Sequence, residues 1–119
     1  MSPAVSIWDL SFSYGARAVL EKTAFDLPAG ELLAVVGPNG AGKTTLLKLL
    51  LGFLAPASGG IRLTGHPVAG ASRADLARRI SFVPQESTRA FAFTVREFVA
   101  MSRLPYLGRF AGMAPAAVA

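Results

Sequence analysis

Apolar and polar positions alternate from Val5 to Ser13, with Val5 and Ile7 in phase and Leu10 and Phe12 out of it after a slip at Trp8-Asp9. That pattern predicts a half-buried strand with a bulge. Alternation resumes over Val19 to Leu27, where Phe25 and Leu27 share a side, and Pro28-Ala29-Gly30 supplies the turn that ends this second strand. The run Leu32-Leu33-Ala34-Val35-Val36 is apolar on both faces. It predicts a strand buried inside a sheet with layers on both sides, and such a strand needs neighbours. Gly37 to Gly42 is a glycine-rich loop. Lys43 to Leu54 then carries Leu46, Leu47, Leu50, Leu51 and Leu54 at helical spacing, ending near Gly52 and Pro56.

Beyond the turn Pro56 to Gly60 a short strand is expected at Ile61 to Leu63. Ser72, with Asp75 three residues on, caps a short helix through Arg79. Ile80 to Val83 reads as another strand, stopped by Pro84. Thr94 and Glu97 form a second capping signature, and Val95, Phe98, Val99 and Leu104 face one way on the helix that follows. Gly108 to Ala119 is alanine-rich and predicts no element. Strands that alternate with helices after an antiparallel opening indicate an α/β fold with a β-rich N-terminal part.

Composition narrows the classes. At 119 residues the chain is one domain at most, and 52% apolar against 16% charged residues excludes a disordered chain. The longest apolar stretch, Leu49 to Ala57, is interrupted by Gly52 and Pro56 and falls well short of the roughly 20 residues of a membrane span. Met1 to Asp9 lacks the pattern of a secretory signal, and the absence of cysteine excludes disulfides and thiolate metal sites. The net charge of +5 favours acidic partners, but the arginines are scattered, so a basic protein without a binding surface fits the charge equally well.

Gly37-Pro38-Asn39-Gly40-Ala41-Gly42-Lys43-Thr44 fits G-x-x-x-x-G-K-[ST], between a strand pattern and an amphipathic helix as that motif requires. Its glycines let backbone N–H groups turn towards a polyphosphate, and the helix starting at Lys43 adds the positive end of its dipole. Lys43 is then placed to neutralise the β and γ phosphates and the Thr44 hydroxyl to ligate Mg²⁺. The bland alternative is a glycine turn between strand and helix. Several protein classes share the loop, so it points to a nucleoside triphosphate without naming a reaction.

A wider set of residues resembles the ATP-binding subunits of ABC transporters: Tyr14-Gly15, Val19-Leu20, Gly30-Glu31, GPNGAGKTTLL, Gly52, the Pro56 to Gly60 turn, Gly65 and Val83-Pro84-Gln85. The resemblance runs from about Ser6 to Pro105. It implies an ABC-type P-loop NTPase domain in which an N-terminal antiparallel part joins a partial core sheet with flanking helices. It also implies that Tyr14 stacks on adenine, that Gly37 to Thr45 (with Pro38, Asn39, Gly40, Ala41, Gly42, Lys43 and Thr44) bind ATP, and that Gln85 reaches Mg²⁺ and the attacking water. Lys43 and Gln85 would then serve catalysis, and Thr44 and Gln85 the metal. Without the resemblance Tyr14 is an ordinary strand aromatic and Gln85 a polar loop residue.

The family's second carboxylate pair and its serine-glycine-glycine signature have no counterpart here. No two acidic residues are adjacent, and Ser58-Gly59-Gly60 comes too soon after Lys43 and is followed by Ile61, so it matches the family's turn before the next strand. His66, in Gly65-His66-Pro67, reads as a turn residue and does not match the family's switch histidine. Residues 1–119 therefore look like the N-terminal half of the domain, holding the A-loop, Walker A and Q-loop but not the signature, Walker B or H-loop. Phe93 to Val99, followed by Arg103-Leu104-Pro105, is similar to importers of iron siderophores, haem and vitamin B12, with Ser102 replacing the usual glycine. The resemblance implies a homodimer of ATP-binding subunits on permease subunits at the cytoplasmic face of the membrane, with a substrate-binding protein in the complex. The apolar face after Thr94 is then either core or a permease contact. A non-catalytic nucleotide-binding module is the rival reading. Nucleic acid is not expected as a partner, since basic and aromatic residues do not interleave.

Overall fold

The computed structural model describes residues 2–84, 94–101 and 103. Val5–Tyr14 (β1) and Arg17–Leu27 (β2) form an antiparallel hairpin, longer at its turn than the alternation predicts. Ser58–Leu63 (β3) runs antiparallel on the other side of β1, and His66–Pro67 (β4) completes a sheet of order β2-β1-β3-β4. Among the described residues three short helices accompany it: Lys43–Leu50 (α1), Arg73–Arg79 (α2) and Val95–Ala100 (α3).

The predicted slip in β1 is a bulge. Register shifts between Ile7 and Leu10 against β2, and Asp9 takes φ 44. This brings Ile7, Leu10 and Phe12 all to the buried side, which strict alternation would have forbidden. Ile7 stands opposite Phe25 on β2 and Ile61 on β3, so one apolar row crosses three strands. Leu46 and Leu49 of α1 and Leu76 of α2 join that side in a single cluster with Leu63 and Val68. Leu10 and Leu49 are fully buried, each contributing about 1.5–3 kcal/mol by its removal from water.

Local signals in the sequence end and begin the helices. Gly52, at φ 77, stops α1: its N–H bonds to the Leu49 carbonyl at 3.2 Å and that of Phe53 to Lys48 at 2.9 Å. Leu51 is the C-cap and Leu54 lies beyond the helix. The Ser72 hydroxyl accepts from Asp75 N, and Thr94 and Glu97 form a reciprocal capping box. On α3, Val95, Phe98 and Val99 are exposed. Leu104 lies outside the described residues.

Four expectations need correction. Residues 32–36 form no strand: Leu32 is 96% exposed and Val36 86%, and among the described residues no strand pairs with them. A strand apolar on both faces is held only by neighbours that take its N–H and C=O groups and cover its sides. Residues 80–83 likewise form no strand, with Phe82 and Val83 exposed. Conversely, Ser58 to Gly60 are strand, where a turn was expected. The chains meet closely there: a β-carbon on Gly60 would lie 2.3 Å from the Trp8 ring. His66, expected in a turn, stands in β4 opposite Leu63, and the turn itself is Thr64-Gly65. Among the described residues no helix is long and apolar enough to cross a membrane.

Candidate functional site

The loop before α1 is shaped by its own backbone. Ala41 N donates to the Pro38 carbonyl at 3.2 Å, and Gly42 closes the turn at φ 96 and ψ 7 as the N-cap residue. A side chain at that φ is strained, and a β-carbon would also stand 3.1 Å from Leu20 Cδ2. Gly42 thus sets both the turn and the contact with β2. Its side-chain-free cap leaves the first-turn N–H groups of α1 without a side-chain partner, and no acidic residue occupies that turn. The helix start therefore presents its positive end uncompensated. Lys43 Nζ folds over the loop and donates to the Gly37 carbonyl. Thr44 is exposed, while Thr45 is buried.

The hairpin supplies the opposite wall. Tyr14 and Arg17 pair across the turn Gly15-Ala16, and the Tyr14 ring packs edge-on with Phe12, centroids 4.9 Å apart at 86°. Tyr14 remains 48% exposed. Between hairpin and loop lies an open cavity of about 310 Å³ lined by Tyr14, Arg17, Val19, Asn39, Gly40, Gly42, Lys43, Thr44 and Thr45. Of the expected site residues, Tyr14, Asn39, Gly40, Gly42, Lys43, Thr44 and Thr45 thus come together. Gly37, Pro38 and Ala41 belong to the same loop without lining the cavity, and Gln85 lies outside the described residues.

Two lining residues, Arg17 and Val19, were not singled out as site residues by sequence reasoning. The signal was local: a glycine after Tyr14 permits a two-residue hairpin turn, which sets Arg17 directly opposite Tyr14. His66 takes no part in this wall; its Nδ1 lies 3.0 Å from the Thr64 carbonyl in the β3–β4 hairpin.

The lining suits a polyanion that carries an aromatic base. It offers backbone N–H groups, two cations, hydroxyls and one flat ring, and among the described residues no carboxylate lines it. It suits a bare divalent cation poorly: among the described residues no three His, Cys, Asp or Glu converge, and Thr44 supplies only a neutral hydroxyl. A metal there would depend on oxygens brought by its own anionic ligand.

The family model described as ABC transporter matches residues 20–116. The chain is 53% identical over 92 residues to the hemin import ATP-binding protein HmuV of Nocardia farcinica, covering 77% of this chain and 32% of that protein. It is 42% identical over 105 residues to HmuV of Deinococcus radiodurans, covering 88% and 40%. Among solved structures, a transporter described as of the metal-chelate ABC type, in an inward-facing conformation, superposes with a TM-score of 0.75 at 36% identity, covering 98% of this chain and 42% of that one. The chain thus spans about a third of the length of the first of these relatives. The shared part is the partial P-loop nucleotide-binding domain: the antiparallel N-terminal sheet with its helices.

Proposed function

Because this chain belongs to the ABC transporter family, we propose that it is the ATP-binding portion of a subunit that drives import of an iron chelate, haem foremost. The observation that carries the reading is the cavity that brings Tyr14 of the hairpin to Lys43 and Thr44 of the loop. An adenine ring packs on the exposed part of Tyr14, and the phosphates extend to the uncapped start of α1. There Lys43 exchanges its bond to the Gly37 carbonyl for phosphate oxygens. Gly37, Pro38 and Ala41 hold the loop's shape, while Asn39, Gly40, Gly42 and Thr45 form its floor. Mg²⁺ arriving with ATP would be held by the Thr44 hydroxyl together with Gln85, and would offset phosphate charge.

Import of haem or another iron chelate follows from the names of the relatives and from the Phe93 to Val99 segment. On this reading residues 1–119 make up a partial ABC-type ATP-binding domain carrying the A-loop, Walker A and Q-loop. Permease subunits, a second ATP-binding subunit and a substrate-binding protein are its partners, at the cytoplasmic face of the membrane. A second reading concerns turnover. These 119 residues contain no adjacent acidic pair to hold metal and activate water, so the chain by itself binds ATP without hydrolysing it.

The test is titration of the purified chain with ATP-Mg²⁺ beside Lys43→Ala, with phosphate release followed in both. At least tenfold weaker binding is expected for Lys43→Ala, because the ammonium is a main counter-charge to the phosphates. Phosphate release is expected at the same background in both proteins. Unchanged binding would remove the phosphate-loop assignment, and sustained Lys43-dependent release would remove the non-hydrolysing reading.

A further inference from the structure

We propose that Arg17 is a second cation of the nucleotide site, contacting the phosphate chain from the hairpin side of the cavity. The inference rests on the ATP reading above and adds to it a residue outside the phosphate loop.

Arg17 opens β2 directly opposite Tyr14. Directly paired residues in an antiparallel ladder project to the same face, so whatever side Tyr14 presents to the cavity, Arg17 presents too. Both line it. The guanidinium reaches across to the loop: its Nη2 lies 3.8 Å from the point a β-carbon on Gly40 would occupy. A nucleotide with its base on Tyr14 and its terminal phosphates at Lys43 spans this gap, and so passes the guanidinium.

The guanidinium also has capacity to spare. Arg17 is exposed, and its side chain makes no ion pair, hydrogen bond or ring contact among the described residues. Arg62 and Arg73 differ in this, being stacked on Trp8 and Phe53 respectively. Among the described residues no carboxylate lines the cavity to neutralise Arg17, while the nearby Lys43 is engaged by the Gly37 carbonyl. An unpaired planar donor fork facing a concavity of N–H groups and hydroxyls is suited to phosphate oxygens. Gly40 contributes by omission, since a larger side chain there would occupy the approach.

The experiment compares Arg17→Met, Arg17→Lys, Lys43→Ala and the unaltered chain. ATP, ADP and adenosine are titrated at low and at physiological salt, with a thermal melt for each protein. Arg17→Met keeps the aliphatic body and removes the charge. It is expected to weaken ATP and ADP about three- to tenfold at low salt, to leave adenosine unchanged, and to flatten the dependence of ATP affinity on salt. Arg17→Lys is expected to keep the salt dependence and most of the affinity. Melts are expected to coincide, because the side chain holds no part of the fold. Lys43-dependent ATP binding with Arg17→Met indistinguishable from the unaltered chain would overturn the inference and leave the site intact. Equal loss of ATP and adenosine would also overturn it, by showing a structural role. Absence of Lys43-dependent binding in the unaltered chain would remove the ATP reading, and Arg17 with it.

Discussion

Gly42 lies so close under Val19 that a β-carbon on it would stand 3.2 Å from Val19 Cγ1 and 3.3 Å from the Val19 carbonyl oxygen. Through this contact the β1–β2 hairpin sits on the phosphate loop, and Tyr14 at the hairpin's tip comes to share a cavity with Lys43. The sequence separation between the two walls is long, so the site's width depends on how closely backbone meets backbone at this point.

Gly42→Ala tests that relation. The new methyl group meets Val19 and Leu20 while the residue is held at φ 96, so two strains combine. The expected cost is about 2–4 kcal/mol of stability by denaturant titration. ATP binding is expected to weaken at least tenfold, since loop and hairpin both shift. A variant of unchanged stability and affinity would mean the loop has room that this packing does not show.

Tyr14 separates base from phosphate recognition. Its ring is braced by Phe12 yet half exposed, so Tyr14→Phe keeps the flat face and is expected to bind ATP nearly as well. Tyr14→Ala is expected to weaken ATP by about 1–3 kcal/mol while sparing inorganic triphosphate, as measured by competition against a fluorescent nucleotide. Equal loss of both ligands would assign Tyr14 to folding.

Leu10 and Leu49 join the sheet to α1 and are 0% and 1% exposed. Truncating either to alanine leaves a cavity in the one cluster that ties the helix behind the loop to β1. Each is expected to lose about 2–5 kcal/mol, and the pair less than the sum if they share one cavity. Thermal melts of the two single variants and the double variant check both statements. A loss below 1 kcal/mol at Leu49 would show that α1 is not anchored there.

Leu32 and Val36 set a large apolar surface in water. The chain is therefore expected to bind a hydrophobic dye and to associate as its concentration rises. Leu32→Lys with Val36→Lys is expected to reduce both effects without lowering the melting temperature. Sedimentation at several concentrations, with dye titration, decides the matter. A lower melting temperature would mean that these side chains already pack against the fold.

The sequence by itself determined whatever depends on neighbours a few residues apart. The loop from Gly37 to Thr44, the cap of α2 at Ser72, the capping box at Thr94 and the bulge at Trp8-Asp9 are local, because turn conformation, capping bonds and side-chain period close within about one helical turn. Tertiary structure decided the remainder. Residues 32–36 read as a buried strand because pattern registers apolarity, but a strand exists only with paired neighbours, and among the described residues they have none. Ser58 to Gly60 read as a turn because glycines there permit one, whereas in space their bareness admits the bulge of β1 and the Trp8 ring. Arg17 stands opposite Tyr14 because of the local turn at Gly15, but it lines the cavity only because the contact of Val19 with Gly42 brings the hairpin over the loop and its guanidinium over Gly40. Such distances are set by backbone packing between segments remote in the chain, and no local pattern encodes them.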